Sequence, residues 1–253
     1  MIIAHISDSH VLLAHPDADQ TLQDLERTIA DINALDPAPD VIFHTGDVVH
    51  NGSLDEYTAA ARVLEKARAP LFVIPGNKDD RANLRSAFLG HGYLRGNSKF
   101  IDYAIEDYPI RLIAVDTKSA RGNKGDFCLE RAERLIAAID ADASKPVVVF
   151  THHPPFEMPV GPEAVNFETP EMMARLRDAI LLRSERVAAI VSGHVHRDTS
   201  GHVGSIPATV VPPVATRLRW GDYPAEMQST PVYHVHRLSG RGVLAMERRV
   251  VGA

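Results

Sequence analysis

Apolar residues follow two rhythms along this chain. The short unbroken runs in IIAHIS (2–7), DVIFHTGD (40–47), LFVI (71–74), PVVVF (146–150) and VAAIVS (187–192) are too brief for helices and end in Gly, Pro, Asp, Asn or His, which predicts strands buried on both faces. Between them the period lengthens towards 3.6. In TLQDLERTIADINAL (21–35), Leu22, Leu25, Ile29 and Ile32 share one helical face, and LERAERLIAAIDA (129–141) is amphipathic in the same way. SLDEYTAAARVLEKA opens with Ser53 and Glu56 in capping-box spacing, DDRANLRSAFL predicts a short third helix, and TPEMMARLRDAILLRSE places Thr169 as N-cap with Pro170 behind it.

The alternation of strand and helix over the first 90 or so residues predicts parallel pairing. KFIDYAIE and PIRLIAVD, separated by the turn-like DY, predict an antiparallel pair. From about residue 207 strands dominate, with a hairpin turning around Ser239–Gly242. Nothing resembling a linker, repeat or low-complexity block divides the chain. The expected architecture is one α/β domain over residues 1–253, two sheets face to face with helices outside, strand-rich from about 207.

Composition narrows the classes of function. Of 253 residues, 45% are hydrophobic and 24% charged, the balance of an ordinary globular protein. A formal charge of −6 removes the global basic field that a nucleic-acid polymer would meet. A single cysteine, Cys128, forms no intrachain disulfide and points to a reducing compartment. MIIAHISDSH has no basic segment followed by a long apolar one, and no run approaches the ~18 apolar residues of a membrane span. The expectation is a cytoplasmic protein without membrane partners.

The chemistry lies where the strands end. Asp8 and His10 follow the first run, Asp47 the second, Asn77 the third, His152 the run PVVVF, and His194 and His196 the run VAAIVS. Carboxyl ends of strands are where α/β sheets bind ligands. Each signal alone is an ordinary turn or cap; all of them in this order are not. Seven nitrogen and oxygen donors exceed one tetrahedral site and include no thiolate, which points to two ions of the Mn, Fe, Co or Zn kind. Two such ions about 3.5–4 Å apart can share a carboxylate and a bridging hydroxide, lower the pKa of that water and clamp a phosphoryl group for in-line attack.

In order, DSH, GDVVHNG, GNKD, THHPP and GHVH resemble the motifs of the calcineurin-like metallophosphoesterases, and within them the bacterial class III cyclic-nucleotide and glycerophosphodiester phosphodiesterases. The resemblance runs from residue 1 to about residue 215 and implies a four-layer αββα sandwich. It implies one metal on Asp8, His10 and His196, a second on Asn77, His152 and His194, and Asp47 bridging both. His153 then lies behind the metal or on the substrate side. The implied activity is hydrolysis of small phosphodiesters, cyclic nucleotides or glycerophosphodiesters; the alternatives are a pyrophosphate or phosphomonoester hydrolase and, more distantly, a non-catalytic metal-binding scaffold. A homodimer is implied by family habit alone.

One residue departs from that pattern. The family reads GNHD where this chain has GNKD, so Lys78 stands in place of a phosphate-facing histidine. Lysine, with an ordinary pKa near 10.4, is a poor proton donor at neutral pH but an effective point charge for phosphoryl oxygens. His50, on the loop after Asp47, is the candidate for the missing proton. In PPVATRLRWGDYPAEMQST (212–230), Arg217, Arg219 and Trp220 could flank a substrate, Arg219 foremost. His5 and His44 are expected to be packed inside strands, and His15, His91 and His202 to lie in loops. His234 and His236, at period two in YHVHR, could make a metal pair, but the ligand set is complete without them.

Overall fold

A computed structural model describes residues 1–95, 98–158, 166–238 and 244–252. Its first half alternates β1 (Ile2–Ile6), α1 (Ala18–Asn33), β2 (Val41–His44), α2 (Leu54–Leu64), β3 (Leu71–Val73) and α3 (Arg81–Ala87). β4 (Tyr103–Ile105), β5 (Arg111–Val115), α4 (Leu129–Asp140), β6 (Val147–Thr151), α5 (Pro170–Leu181) and β7 (Val187–Ser192) follow. The chain continues through β8 (Thr199–Val203), β9 (Ile206–Val210), the short α6 (Ala225–Gln228), β10 (Val232–Leu238) and β11 (Leu244–Val250).

These strands form two mixed sheets, ordered β11-β10-β1-β2-β3 and β4-β5-β6-β7-β9-β8. β1, β2 and β3 run parallel in the first, as do β5, β6 and β7 in the second, while β4 joins β5 antiparallel as the sequence predicts. The unbroken apolar runs are explained by three separate cores. On β1, β2 and β3, Ala4, Ile6, Ile42, Leu71 and Val73 pack with Leu25, Ile29 and Tyr57 of α1 and α2. The alternate residues Ile3, Val41, Phe43 and Phe72 pack with Leu112, Ala114, Val148, Phe150 and Val191 of the other sheet. Val147, Val149 and Ile190 face α4 and α5 through Leu135, Ile139 and Leu176. Successive side chains on a strand point to opposite faces, so a strand with a helix on one side and a sheet on the other must be apolar at every position. Phe43 stacked on Phe150, centroids 4.2 Å apart, marks the sheet-to-sheet contact. The result is the four-layer αββα sandwich.

Local sequence accounts for the helix starts. Ser53 accepts from the Glu56 amide while the Glu56 side chain returns to the Ser53 amide, a complete capping box, and Thr169 caps α5 with Pro170 in its first turn. Asp80 caps α3 through the Ala82 and Asn83 amides.

Two expectations need correction. The strand-rich segment begins before 207, because TSGHV forms β8 and pairs antiparallel with β9; His202 therefore sits in a strand. TSGHV has no apolar run because β8 is an edge strand with exposed positions. Between 211 and 231 the chain forms only a 3-10 turn (Thr216–Leu218) and α6. The turn expected around Ser239–Gly242 lies outside the described residues, although β10 and β11 on either side of it pair antiparallel.

Candidate metal centre

The carboxyl ends of β1, β2, β3, β6 and β7 meet along one crest where the two sheets abut. Backbone bonds stitch the loops together: Asp8 N to Gly46 O at 2.9 Å, Gly193 N to His152 O at 3.1 Å and Val214 N to Ser7 O at 2.9 Å. Two of the crest glycines show how close the approach is. A Cβ on Gly76 would stand 2.2 Å from Asp47 Oδ1, and one on Gly193 would stand 1.9 Å from Ser7 Oγ. These are the glycines of GNKD and GHVH, and the space they leave brings the loops together.

Asp8, His10, Asp47, His194 and His196 all have positive φ, between 41° and 74°, and no other non-glycine among the described residues does. Such a conformation costs a non-glycine residue about 1–2 kcal/mol. Strain gathered at one place marks a functional constraint.

The side chains converge. His10 Nε2 lies 3.6 Å from Asp8 Oδ1 and 3.4 Å from Asp47 Oδ2, and His196 Nε2 lies 3.3 Å from Asp8 Oδ1. The Nε2 atoms of His10 and His196 are 3.1 Å apart. On the other side Asn77 Oδ1 is 3.0 Å from His152 Nε2 and 2.9 Å from His194 Nδ1, and His152 Nε2 is 3.7 Å from Asp47 Oδ1. Asp47 thus faces both groups, with one oxygen towards each. All seven residues except His194 and His196 are buried, and those two are partly so.

The donor set fits divalent ions. His152 Nδ1 donates to the Thr45 carbonyl at 2.7 Å and His196 Nδ1 to the Leu218 carbonyl at 2.8 Å, which turns each Nε2 towards the carboxylates as the atom that would ligate. Asp8 Oδ1 is buried and has no hydrogen-bond partner. Burial holds His152 and His194 below the ordinary imidazole pKa, so both are neutral donors near pH 7. Burial pushes the Asp47 carboxyl up to about 7, with His10 opposing and the charges of Asp8 and Asp79 adding. Crowded carboxylates of this kind are relieved by cations.

Supporting residues extend beyond those legible in the sequence. Asp79, 1% exposed, accepts from Val48 N, Val49 N, Gly76 N and the Tyr57 hydroxyl, the last two at 2.8 Å. It ties the Asp47 loop to the Asn77 loop. Lys118 Nζ donates to the Asn77 carbonyl at 2.7 Å, and Arg81 grips Asp116 with two bonds while also donating to the Lys118 carbonyl. The signal for Asp79 was the doubled acid of GNKDD, of which one caps α3 and the other turns inwards. Lys118 has no comparable sequence signal.

The remaining candidates occupy different places. The Lys78 amide donates to Asp47 Oδ1 at 2.7 Å and its side chain is half-exposed at the rim. The His50 ring is 5.5 Å from that of His10; burial lowers its pKa and the charge of Lys78 lowers it further. His153 is fully buried, with Nδ1 2.8 Å from the Thr117 hydroxyl, Nε2 3.3 Å from the Asn123 carbonyl, and its ring 4.3 Å from that of His194. Arg219 donates to the carbonyls of Met227 and Thr230 and lies over the Tyr223 ring, so its two amino groups are taken up within its own loop. Arg217 pairs with Asp17, and Trp220 is exposed.

An αββα sandwich with carboxylate, amide and imidazole donors on its crest defines a class, the metal-dependent phosphoester hydrolases. The chain belongs to the calcineurin-like phosphoesterase family, whose model matches residues 1–198. It is 33% identical over 202 residues to a probable glycerophosphodiester phosphodiesterase of Arcobacter nitrofigilis, covering 78% of this chain and 72% of that one. It is 26% identical over 205 residues to the 3',5'-cyclic adenosine monophosphate phosphodiesterase of Pseudomonas aeruginosa, covering 78% and 70%. The crystal structure of the protein TT1561 of Thermus thermophilus superposes with a TM-score of 0.63 at 14% identity, over 99% of this chain and 98% of that one, and shares the fold. The protein is a phosphoesterase, a hydrolase of a family that uses divalent metal ions. Among the described residues no helix is long and apolar enough to cross a membrane.

Proposed function

We propose that the protein hydrolyses small phosphodiesters with two metal ions, one held by Asp8, His10 and His196, the other by Asn77, His152 and His194, with Asp47 shared. The observation that carries this reading is the pair of donor groups facing opposite oxygens of Asp47. Such ions supply Lewis acidity, which lowers the pKa of water and neutralises phosphoryl oxygens. The protein's own contribution is positional. Thr45 and Leu218 carbonyls fix two imidazole tautomers, and Asp79 and Lys118 hold the loops that carry Asp47 and Asn77. Lys78 binds a non-bridging phosphoryl oxygen as a point charge, and His50 relays a proton from solvent to the leaving oxygen. His153 buttresses His194 from behind, and Arg219 shapes the loop at the mouth. One folding unit carries the whole site, which the bonds across both sheets favour.

Glycerophosphodiesters and cyclic nucleotides are the substrate classes favoured by the relatives, and the chain works without a partner polymer or membrane, in the cytoplasm. The test is elemental analysis of the purified protein together with turnover of bis(p-nitrophenyl) phosphate, p-nitrophenyl phosphate, glycerophosphocholine, cyclic AMP and a nucleoside-diphosphate sugar under added Mn²⁺. Two ions per chain at the crest and a preference for diesters are expected. Hydrolysis confined to the pyrophosphate or the monoester would replace the reading with the alternative that Lys78 favours, because a cation at that position suits a more highly charged phosphate. Two ions without any turnover would leave a scaffold.

A further inference from the structure

Three buried histidines stand apart from the crest. His5 lies in the middle of β1, and His234 and His236 occupy alternate positions of β10, with His234 directly opposite His5 in the antiparallel register. Their neighbours fix the direction in which they point. Tyr233 and Val235 pack on the helix side, whereas Ile3 and Leu238, which share the parity of the three histidines, pack between the sheets. All three are 0% exposed, and one nitrogen of each lies within 4.8 Å of those of the other two. Ring centroids are 5.4 Å apart for His5 and His236, 5.8 Å for His234 and His236 and 6.2 Å for His5 and His234.

The hydrogen bonds leave this group incomplete. His5 Nε2 meets the Thr45 hydroxyl at 2.9 Å, and His234 Nε2 donates to Asp198 Oδ1 at 3.0 Å, whose other oxygen takes Arg248. Within the group one weak contact exists, His236 Nε2 to His5 Nδ1 at 3.3 Å. Nδ1 of His234 and Nδ1 of His236 are buried without any partner. Buried polar atoms in folded proteins are nearly always paired, and a layer that is otherwise apolar has no need of three imidazoles. A carboxylate on the far nitrogen of a histidine is the arrangement that fixes the tautomer of a metal ligand and raises its basicity.

We infer that His5, His234 and His236 form a third metal site, sealed between the sheets and separate from the crest, which takes one zinc(II)-type ion. Three imidazole nitrogens with no carboxylate among the ligating atoms suit zinc, with cobalt(II) as its spectroscopic surrogate, and disfavour Mg²⁺ and Mn²⁺. Burial keeps His5 and His236 well below the ordinary imidazole pKa, in the unprotonated form that ligates. Because the three residues are fully enclosed, the ion enters as the chain folds and leaves only when it opens; its role is structural. The site pins β10 to β1, the strand whose end carries Asp8 and His10.

The experiment uses wild-type protein produced with zinc and then dialysed against a chelator until hydrolytic activity is gone. One zinc per chain is expected to remain and to be released to a chromogenic chelator only on unfolding in guanidinium. The double substitution His234→Gln, His236→Gln is expected to lose that zinc, yet to recover activity when Mn²⁺ is restored. Zinc-edge X-ray absorption of the chelator-resistant wild-type ion needs no variant: a shell of about three imidazole nitrogens is expected. Chelated wild type free of zinc, a folded double variant that keeps its zinc, or a shell made mainly of oxygens would each overturn the inference. None of these readouts depends on which phosphoester the crest hydrolyses.

Discussion

Two groups of histidines are joined by one strand, and they are built in opposite ways. His5 lies within β1 in regular extended backbone, paired across to β10 and closed off from solvent. Three and five residues further on, Asp8 and His10 leave the strand in left-handed conformations and face a crest where His194 and His196 are partly exposed. In the interior, side-chain positions follow from strand register at no conformational cost. At the crest they are held against the backbone's preference by loop-to-loop hydrogen bonds and by glycines that permit close approach. A set of donors placed at such cost is preorganised for something that arrives from solvent and reacts, whereas donors placed by register serve the fold.

The largest separation between the two groups is expected from Asp47→Ala. Loss of the residue that faces both donor groups should lower kcat on bis(p-nitrophenyl) phosphate by about 10³-fold or more and reduce crest metal content. Hydrolysis within a few-fold of wild type would remove the shared role. By contrast, His234→Gln should leave kcat of the metal-restored protein within about threefold, since the residue touches nothing at the crest.

Next comes Gly193→Ala, which forces a methyl into the 1.9 Å gap to Ser7 Oγ. Overpacking of this kind costs about 3 kcal/mol, and thermal denaturation should show a midpoint lower by roughly 6–12 °C for a chain of this size. An unchanged midpoint would mean that the loops at the crest yield easily and are not preorganised.

Acid should act through the histidines buried within the strands. Burial depresses the His44 pKa from 6.5 to about 3, and burial also holds His5 and His236 well below 6.5. Below pH 6.5 the unfolded chain therefore binds protons at these rings that the folded chain refuses. The stability tied to their neutral form is complete above pH 6.5 and is lost as pH falls below it, down to about 3 for His44, by up to about 1.4 kcal/mol per pH unit for each such ring. Urea midpoints measured between pH 7 and 4 should fall accordingly, and His44→Gln should flatten the curve. A curve that is already flat in the wild type would show that these rings are protonated in the fold.

The smallest expected effect is at the rim. Lys78→Ala should lower kcat/KM on diesters by about tenfold, the scale of one exposed charge on a phosphoryl oxygen, with metal content unchanged. Unaltered kinetics on every diester would mean that its ammonium points to solvent and only its amide, bonded to Asp47, matters.

What made the crest legible was its chemistry. Asp, Asn and His directly after apolar runs are visible in a linear string because a strand delivers the next residue to a predictable edge. The capping box of Ser53 and Glu56 was legible for a similar reason, since both partners lie within one turn. β8 escaped notice because an edge strand such as TSGHV needs no apolar run, and Arg219 looked available because nothing local reveals the carbonyls of Met227 and Thr230 that engage it.

The sequence by itself determined the alternation of strand and helix, the burial of both strand faces and which seven polar side chains follow the strand ends, all consequences of local periodicity and of which residue follows a strand. Tertiary structure alone decided which side chains face each oxygen of Asp47, why Asp79 rather than Asp80 turns inwards, and that His5 meets His234 and His236 from the far end of the chain. Those relations depend on how two sheets abut and on the register of β10 against β1. His5 and His234 are more than two hundred positions apart and Asp47 and His152 more than a hundred, distances over which no sequence pattern carries a signal.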